Sequence, residues 1–357
     1  VFKLFTNHKA GLAVTARTLG LSHDGGHSLS GEHDGIPVGV RLWTQSNGDN
    51  TSYYTTVHAG HPVPLRMSLS ASRVGAVGRF VRSALGGEDI VTGHPEFDTH
   101  FHVRASDPQR AVTLLTQPAL RDAMLSVLGA RRNNLIVSDL TSSITLNGWH
   151  SDVEELRAIL NSTYPVASAV RHAREVVPLS DAERRALDSL AGTATATGLA
   201  LNPQQLTVTG ARGRRQLAVR TIYQPDAGWI TEFEARFPES LGVGLRLLPQ
   251  RGLFSAIGEL FGTQDIEVGH ALFDSTFKVK GQPEAKVAEL LSGTVADRIL
   301  HLNQVARELH VGDEGVRAIA AGLMDETASQ VRSIDVVDGL AGAISERAWG
   351  GASAPYR

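Results

Sequence analysis

Residues 89–104 read DIVTGHPEFDTHFHVR, and residues 265–280 read DIEVGHALFDSTFKVK. Asp89, Ile90, Gly93, His94, Phe97, Asp98, Phe101 and Val103 recur, at one constant offset, as Asp265, Ile266, Gly269, His270, Phe273, Asp274, Phe277 and Val279. A match this dense across so long a gap marks a tandem duplication, so each copy serves as a control for the other.

The correspondence continues outward in unchanged order. Gly31, Val40 and Arg41 match Gly210, Val219 and Arg220, and Leu65-Arg66-Met67 is aligned with Leu245-Arg246-Leu247. Leu114-Leu115 matches Leu290-Leu291, and Leu120, Met124 and Val127 match Val295, Ile299 and Leu302. Leu135, Val137, Asp139 and Gly148 match Leu309, Val311, Asp313 and Gly322. The unit is far longer than the roughly 20–50 residues of a solenoid repeat.

Each unit opens with a helix, over residues 6–19 and 181–197; Ser180 and Glu183 have capping-box spacing. Alternating apolar residues predict strands over 205–208, 216–223, 230–237 and 242–248, with a turn over 211–215. A short helix is expected near residues 253–260. The motif itself reads as a turn entering a strand, with Phe97, Thr99, Phe101 and Val103 on one face and Phe273, Ser275, Phe277 and Val279 on the equivalent one. Asp107-Pro108 then caps a helix. Leu120, Met124 and Val127 form an apolar stripe on the next. A strand near 134–137 and a helix from about residue 152 close the first unit.

Strands followed by helices argue for an α+β fold: two tandem homologous modules, each a mainly antiparallel sheet packed with helices, related by a pseudo-twofold axis. The expected modules are 1–177 and 178–349, joined near residues 176–179, with a flexible tail over 350–357. The length suits two domains, and a hydrophobic fraction of 42% suits packed cores. A net charge of −3 gives no reason to expect nucleic acid or a membrane surface as partner. The absence of cysteine excludes disulfides, thiolate metal sites and Cys nucleophiles. No apolar run approaches the roughly 18 residues of a transmembrane helix, and no signal peptide is visible at the start. The chain begins at Val1 and reads as a trimmed or excised product, which leaves room for an upstream anchor.

With its D-I-x-x-G-H-x-x-F-D-x-x-F-x-V pattern and the Pro-led Leu-Leu helix after it, the chain resembles a group of uncharacterised bacterial proteins. These carry G-[DH]-x-x-F-D-x-x-F-x-V, and some are tethered behind transmembrane helices. The resemblance is most specific over 86–128 and 262–302. It implies no activity, cofactor or catalytic residue. Many of those sequences have Asp where His94 and His270 stand, which argues against a role that needs imidazole.

His94 with Asp98, and His270 with Asp274, have the spacing of a metal pair or an oriented base. A turn whose Asp accepts backbone N–H groups, while Phe97 and Phe101 fill the core, explains the same residues better. His100 and His102 would share a strand face, with His94, His58 and His61 near enough to make His94, His100 and His102 the candidate metal ligands. The second copy has Ser275-Thr276-Phe277-Lys278 there, so such a site would belong to the first copy alone. Glu32, His33 and Asp34 sit in a turn. Ser28 and Ser30 lack nucleophile-elbow spacing. Arg212, Arg214 and Arg215, and Arg131-Arg132, form basic loops able to meet phosphate or an acidic partner. Trp43 and Trp229 lie in or beside the same hairpin of each copy and read as core or edge aromatics. No P-loop, Rossmann fingerprint, HExxH or EF-hand is present.

The expectation is a non-enzymatic interaction or scaffold protein without cofactor, acting on a protein partner. It would be cytoplasmic, either free or as the soluble domain of a membrane-tethered chain. The alternatives are a small-molecule or lipid site at the joint between modules, and a metal-dependent hydrolase using the His-rich first module.

Overall fold

The computed structural model describes residues 2–48, 50–74, 89–129, 134–249 and 265–350. The helix expected near 253–260, the Arg131-Arg132 loop and the tail beyond Gly350 lie outside these residues. The chain divides into two compact units, 1–178 and 179–357.

The first unit runs α1 (Phe2–Leu19), β1 (Ser22–His23), β2 (Ser28–His33), β3 (Ile36–Asn47), β4 (Asn50–Gly60), β5 (Ser70–Arg73), α2 (Pro95–His100) and β6 (Phe101–Arg104). It continues through α3 (Pro108–Leu115), α4 (Pro118–Ser126), β7 (Asn134–Ser138), β8 (Thr141–Asn147) and α5 (Val153–Arg174). The second runs α6 (Asp181–Thr197), β9 (Ala200–Asn202), β10 (Thr207–Arg212), β11 (Arg215–Gln224), β12 (Gly228–Arg236), β13 (Arg246–Pro249) and α7 (Ala271–Thr276). It ends with β14 (Phe277–Lys280), α8 (Glu284–Leu291), α9 (Thr294–Val305), β15 (Glu308–Gly312), β16 (Gly315–Ala321) and α10 (Thr327–Trp349).

Each unit holds one eight-stranded antiparallel sheet, and the two sheets have the same topology. The orders are β1-β2-β3-β4-β8-β7-β5-β6 and β9-β10-β11-β12-β16-β15-β13-β14. The fold is α+β with tandem sheets, and its two halves repeat strand for strand. No helix among the described residues is long and apolar enough to cross a membrane.

Alternation along the strands sets the layers. Val40, Val57 and Ile144, and in the second unit Val219, Phe233 and Ala318, are buried on one sheet face. The long closing helix covers that face: α5 packs on β3, β4 and β8, and α10 on β11, β12 and β16. Leu120 and Met124 of α4, and Val295 and Ile299 of α9, are fully buried in the same cores. Local chemistry fixes the helix starts. Asp107 Oδ1 accepts from Arg110 N at 3.1 Å ahead of Pro108. Ser180 and Glu183 close a reciprocal capping box at 3.1 and 2.8 Å.

The motif corrects one expectation. Residues 95–100 are not the start of a strand but the short helix α2, and the strand begins only at Phe101. The second copy does the same with α7 and β14. Phe97 and Phe101 therefore meet across the helix-to-strand junction, their rings stacked with centroids 4.7 Å apart. Both are buried, as are Phe273 and Phe277, whereas Thr99 is exposed. Helical spacing of four puts the two rings together as well as strand alternation would.

Candidate functional site

The repeated turn is built alike in both copies. The imidazole of His94 caps α2, its Nδ1 accepting from Phe97 N at 3.4 Å. His270 caps α7 through Phe273 N at 3.2 Å. One turn into the helix, the next carboxylate reaches back. Asp98 accepts from Thr92 N, Thr92 Oγ1 and Gly93 N at 2.9, 2.7 and 3.1 Å. Asp274 accepts from Val268 N, Gly269 N and His270 N at 2.9, 3.1 and 3.0 Å. Gly93 and Gly269 both have φ of +81°, a conformation that favours glycine. Asp89 takes Val103 N at 2.7 Å and His102 Nδ1 at 2.5 Å, while Ile90 N donates to Val103 O. Asp265 pairs instead with Lys280 at 2.7 Å. Asp98, Asp274 and the two imidazole caps of the motif are thus engaged in holding backbone.

A second repeated carboxylate anchors the loop before β5. Buried Asp139 accepts from Met67 N, Ser68 N and Leu69 N at 3.0, 2.9 and 2.8 Å. Burial raises its pKa, partly offset by those three bonds and by Arg110. Asp313 accepts from Gly244 N and Leu245 N at 2.8 and 2.7 Å. These bonds, with β5–β6 and β13–β14 pairing, align Leu65–Leu69 with Leu241–Leu245. The equivalence of Leu65-Arg66-Met67 with Leu245-Arg246-Leu247 is therefore displaced by four residues. The true partners of Arg66 and Ser68 are Gly242 and Gly244. All four have positive φ, at 55°, 48°, 64° and 64°.

The remaining candidates disperse. His100 ends α2 and His102 lies on β6, so they share no strand face. Among the described residues no three His, Asp or Glu side chains converge as a metal site, and His94, His100 and His102 are not brought together as one. Buried His61 bonds Ser142 Oγ through Nε2 at 3.0 Å. Its Nδ1 has no hydrogen-bond partner among the described residues. Burial pushes its pKa down to about 4, only partly countered by the Asp139 backbone. Glu32, His33 and Asp34 stand at the β2–β3 turn, where Tyr164 OH donates to Asp34 at 3.0 Å. Ser28 and Ser30 are strand residues of β2. The basic loop is neutralised at home: Arg212 and Arg215 pair with Asp338, Arg212 also with Asp335, and Arg214 with Glu239. Trp43 stacks on Tyr54 at 4.5 Å and Trp229 meets Tyr223 edge-on at 5.3 Å.

The two copies part company on their surfaces. On the sheet face opposite the long helix, Arg220 of β11 is clamped by Glu232 and Glu234 of β12 at 2.7 and 2.6 Å. Arg236 and Arg317 complete that lattice. The same register in the first copy sets Arg41 opposite Thr56 and Gly39 opposite His58. Thr56 and His58 replace the two glutamates, and Ser143 replaces Arg317. Arg41 is exposed and makes no hydrogen bond or ion pair with any described residue. His58 lies over Gly39, where a Cβ would sit 2.6 Å from its ring. Burial, then the Arg41 cation, lowers its pKa.

A groove between residues 89–91 and α3 diverges too. In the first copy it measures about 740 Å³ and is lined by Asp89, Ile90, Val91, Ala105, Pro108, Gln109 and Val112, with Val91 72% exposed. Its counterpart, about 390 Å³, keeps the equivalent Asp265 and carries Glu267 and Glu284 where the first has Val91 and Pro108. Sequence reasoning paired Arg41 with Arg220 but missed the change around them, because the residues that differ lie one strand away.

No protein-family model, no curated protein and no solved structure matches this chain.

Proposed function

We propose that the chain is a non-enzymatic interaction protein whose working surface belongs to the first module. The observation that carries this reading is the use of the repeated polar residues. In both copies Asp98 and Asp274 and one ring nitrogen of His94 and His270 hold backbone, which supports a structural use of the motif. The copies differ on the open sheet face and in the groove beside α3, where a partner would touch. The net charge of −3 favours a protein partner over nucleic acid, and a chain without cysteine suits a reducing compartment such as the cytoplasm.

The test joins two measurements. A photo-crosslinking amino acid placed at Thr145 on the first sheet, and at Ile319 on the second, is activated in the cells that make the protein. A discrete protein adduct from Thr145, and none from Ile319, is expected. In parallel, protein purified without a polyhistidine tag is assayed for bound metal and ester or phosphoester turnover. Turnover abolished by Asp98→Asn in a variant of unchanged thermal stability would overturn the reading.

A further inference from the structure

We propose that the open face of the first sheet around Arg41 binds a carboxylate side chain presented by a partner protein segment, seated where Glu232 and Glu234 sit on Arg220 in the second module. The proposal rests on the interaction reading and specifies the chemistry of the partner.

The second module displays the occupied form of the site. Two carboxylates two residues apart on β12 close on one guanidinium nitrogen, Nη1, at 2.7 and 2.6 Å. The first module keeps the arginine, its strand and its register, and removes both acids. An arginine whose internal partners are gone is a fork of donors without acceptors, and carboxylate is the group whose geometry fits it.

The surroundings fit the same ligand. Trp43 Nε1 donates to Thr56 Oγ1 at 3.0 Å, and Thr56 Oγ1 shares a bond of 2.9 Å with Thr145 Oγ1. Hydroxyls therefore stand beside Arg41 in place of charge. His58 has no hydrogen bond to any described residue, and its imidazole can offer a second donor. Glycine at position 39, in mid-strand, makes the room that this ring occupies. The row Gly39, His58 and Ser143 crosses three neighbouring strands with no carboxylate in it. Such a row on a sheet face suits a side chain delivered by an extended segment, and an acidic one complements the lone cation.

The test uses the whole chain and fluorescein-labelled hexaglutamate, followed by fluorescence anisotropy at low ionic strength. Wild type is expected to bind, and Arg41→Gln to weaken binding roughly tenfold or more. Arg214→Gln, which removes an exposed charge from the second module, is expected to bind as wild type does. The double change Thr56→Glu with His58→Glu installs the second module's acids beside Arg41. It should abolish peptide binding while leaving the melting temperature unchanged or higher. Hexaglutamate binding that is absent in wild type, unchanged in Arg41→Gln or retained by the double variant overturns the proposal. Displacement of the peptide by glutarate at equal concentration also overturns it, because the site would then belong to a small dicarboxylate. Failure here with a Thr145 adduct still formed in cells rejects the acidic partner and not the interaction reading. A missing adduct with catalytic turnover rejects the latter.

Discussion

Acid should loosen the first module chiefly through one buried side chain. The folded chain holds His61 at about 4, against an ordinary value of 6.5, chiefly because burial disfavours the charged ring. Between those values the unfolded chain binds the proton and the folded chain does not. Stability is therefore whole above pH 6.5 and falls as the pH drops toward 4. The depression corresponds to a loss of about 3 kcal/mol across that window, a large part of the stability of an ordinary domain. His61→Gln places an amide near Nε2, so the bond to Ser142 is retained while the titration is removed. Hydrogen exchange read by mass spectrometry resolves the modules, since peptides from β3–β4 and β11–β12 report separately. After correction for the intrinsic pH dependence, protection of β3–β4 should fall with acid in wild type and distinctly less in His61→Gln. His58, also depressed, contributes to the same window in both proteins. Equal pH slopes in wild type and His61→Gln would show that the ring is not buried and neutral, and would refute the reasoning.

Four further outcomes are expected. Phe97→Ala and Phe277→Ala should each cost about 3–5 kcal/mol, and a denaturant midpoint shift worth under about 1 kcal/mol would contradict their core role. Asp98→Asn and Asp274→Asn should each lose about 1–3 kcal/mol by weakening acceptors for loop N–H groups, measured by thermal melts; an unchanged melt with altered binding would make the motif a working site. Gly244→Ala should destabilise the second module by about 1–2 kcal/mol, because its φ is +64° and the added Cβ meets nothing within 4 Å; an unaltered melt would refute the strain argument. His94→Ala should cost about 1 kcal/mol through the lost cap, whereas His94→Asp should restore it, and an Asp variant as unstable as the Ala variant would remove the capping role.

Much of this fold was legible because packing writes itself into spacing. The stripe of Leu120, Met124 and Val127 is buried as a helix face, and the caps at Asp107 and Ser180 form as their sequence signals indicate. The short helix α2 was not legible. Six residues span fewer than two turns, too few for a 3.6-residue period to show against alternation. Phe97, Thr99 and Phe101 imitate a strand although the chain turns between them. The four-residue displacement before β5 has a different origin. Leu-Arg-Met resembles Leu-Arg-Leu as a string, while the true partners are Arg66 with Gly242 and Ser68 with Gly244. Those pairs share a backbone conformation and no side-chain property, and only the dihedral angles and the bonds to Asp139 and Asp313 align them. The contrast around Arg41 escaped for want of cross-strand register. Arg41 and Arg220 are the same residue in the same place, and their difference resides in Thr56 and His58 opposite Glu232 and Glu234.

The duplication separates what the fold requires from what one copy has been free to change. Asp98 and Asp274, Asp139 and Asp313, and the paired phenylalanines persist because each is tied to backbone or core, where a lost acceptor leaves buried donors stranded and a lost ring leaves a cavity. The open sheet face imposes no such demand. Arg220 with its two largely buried glutamates satisfies itself within one sheet. The first copy lacks both acids and satisfies the same face with Thr56 and His58, and its guanidinium stands exposed. A motif retained in both copies is in this protein a mark of construction. The shared arginine with different partners in the two copies is where the proposed interaction is to be tested.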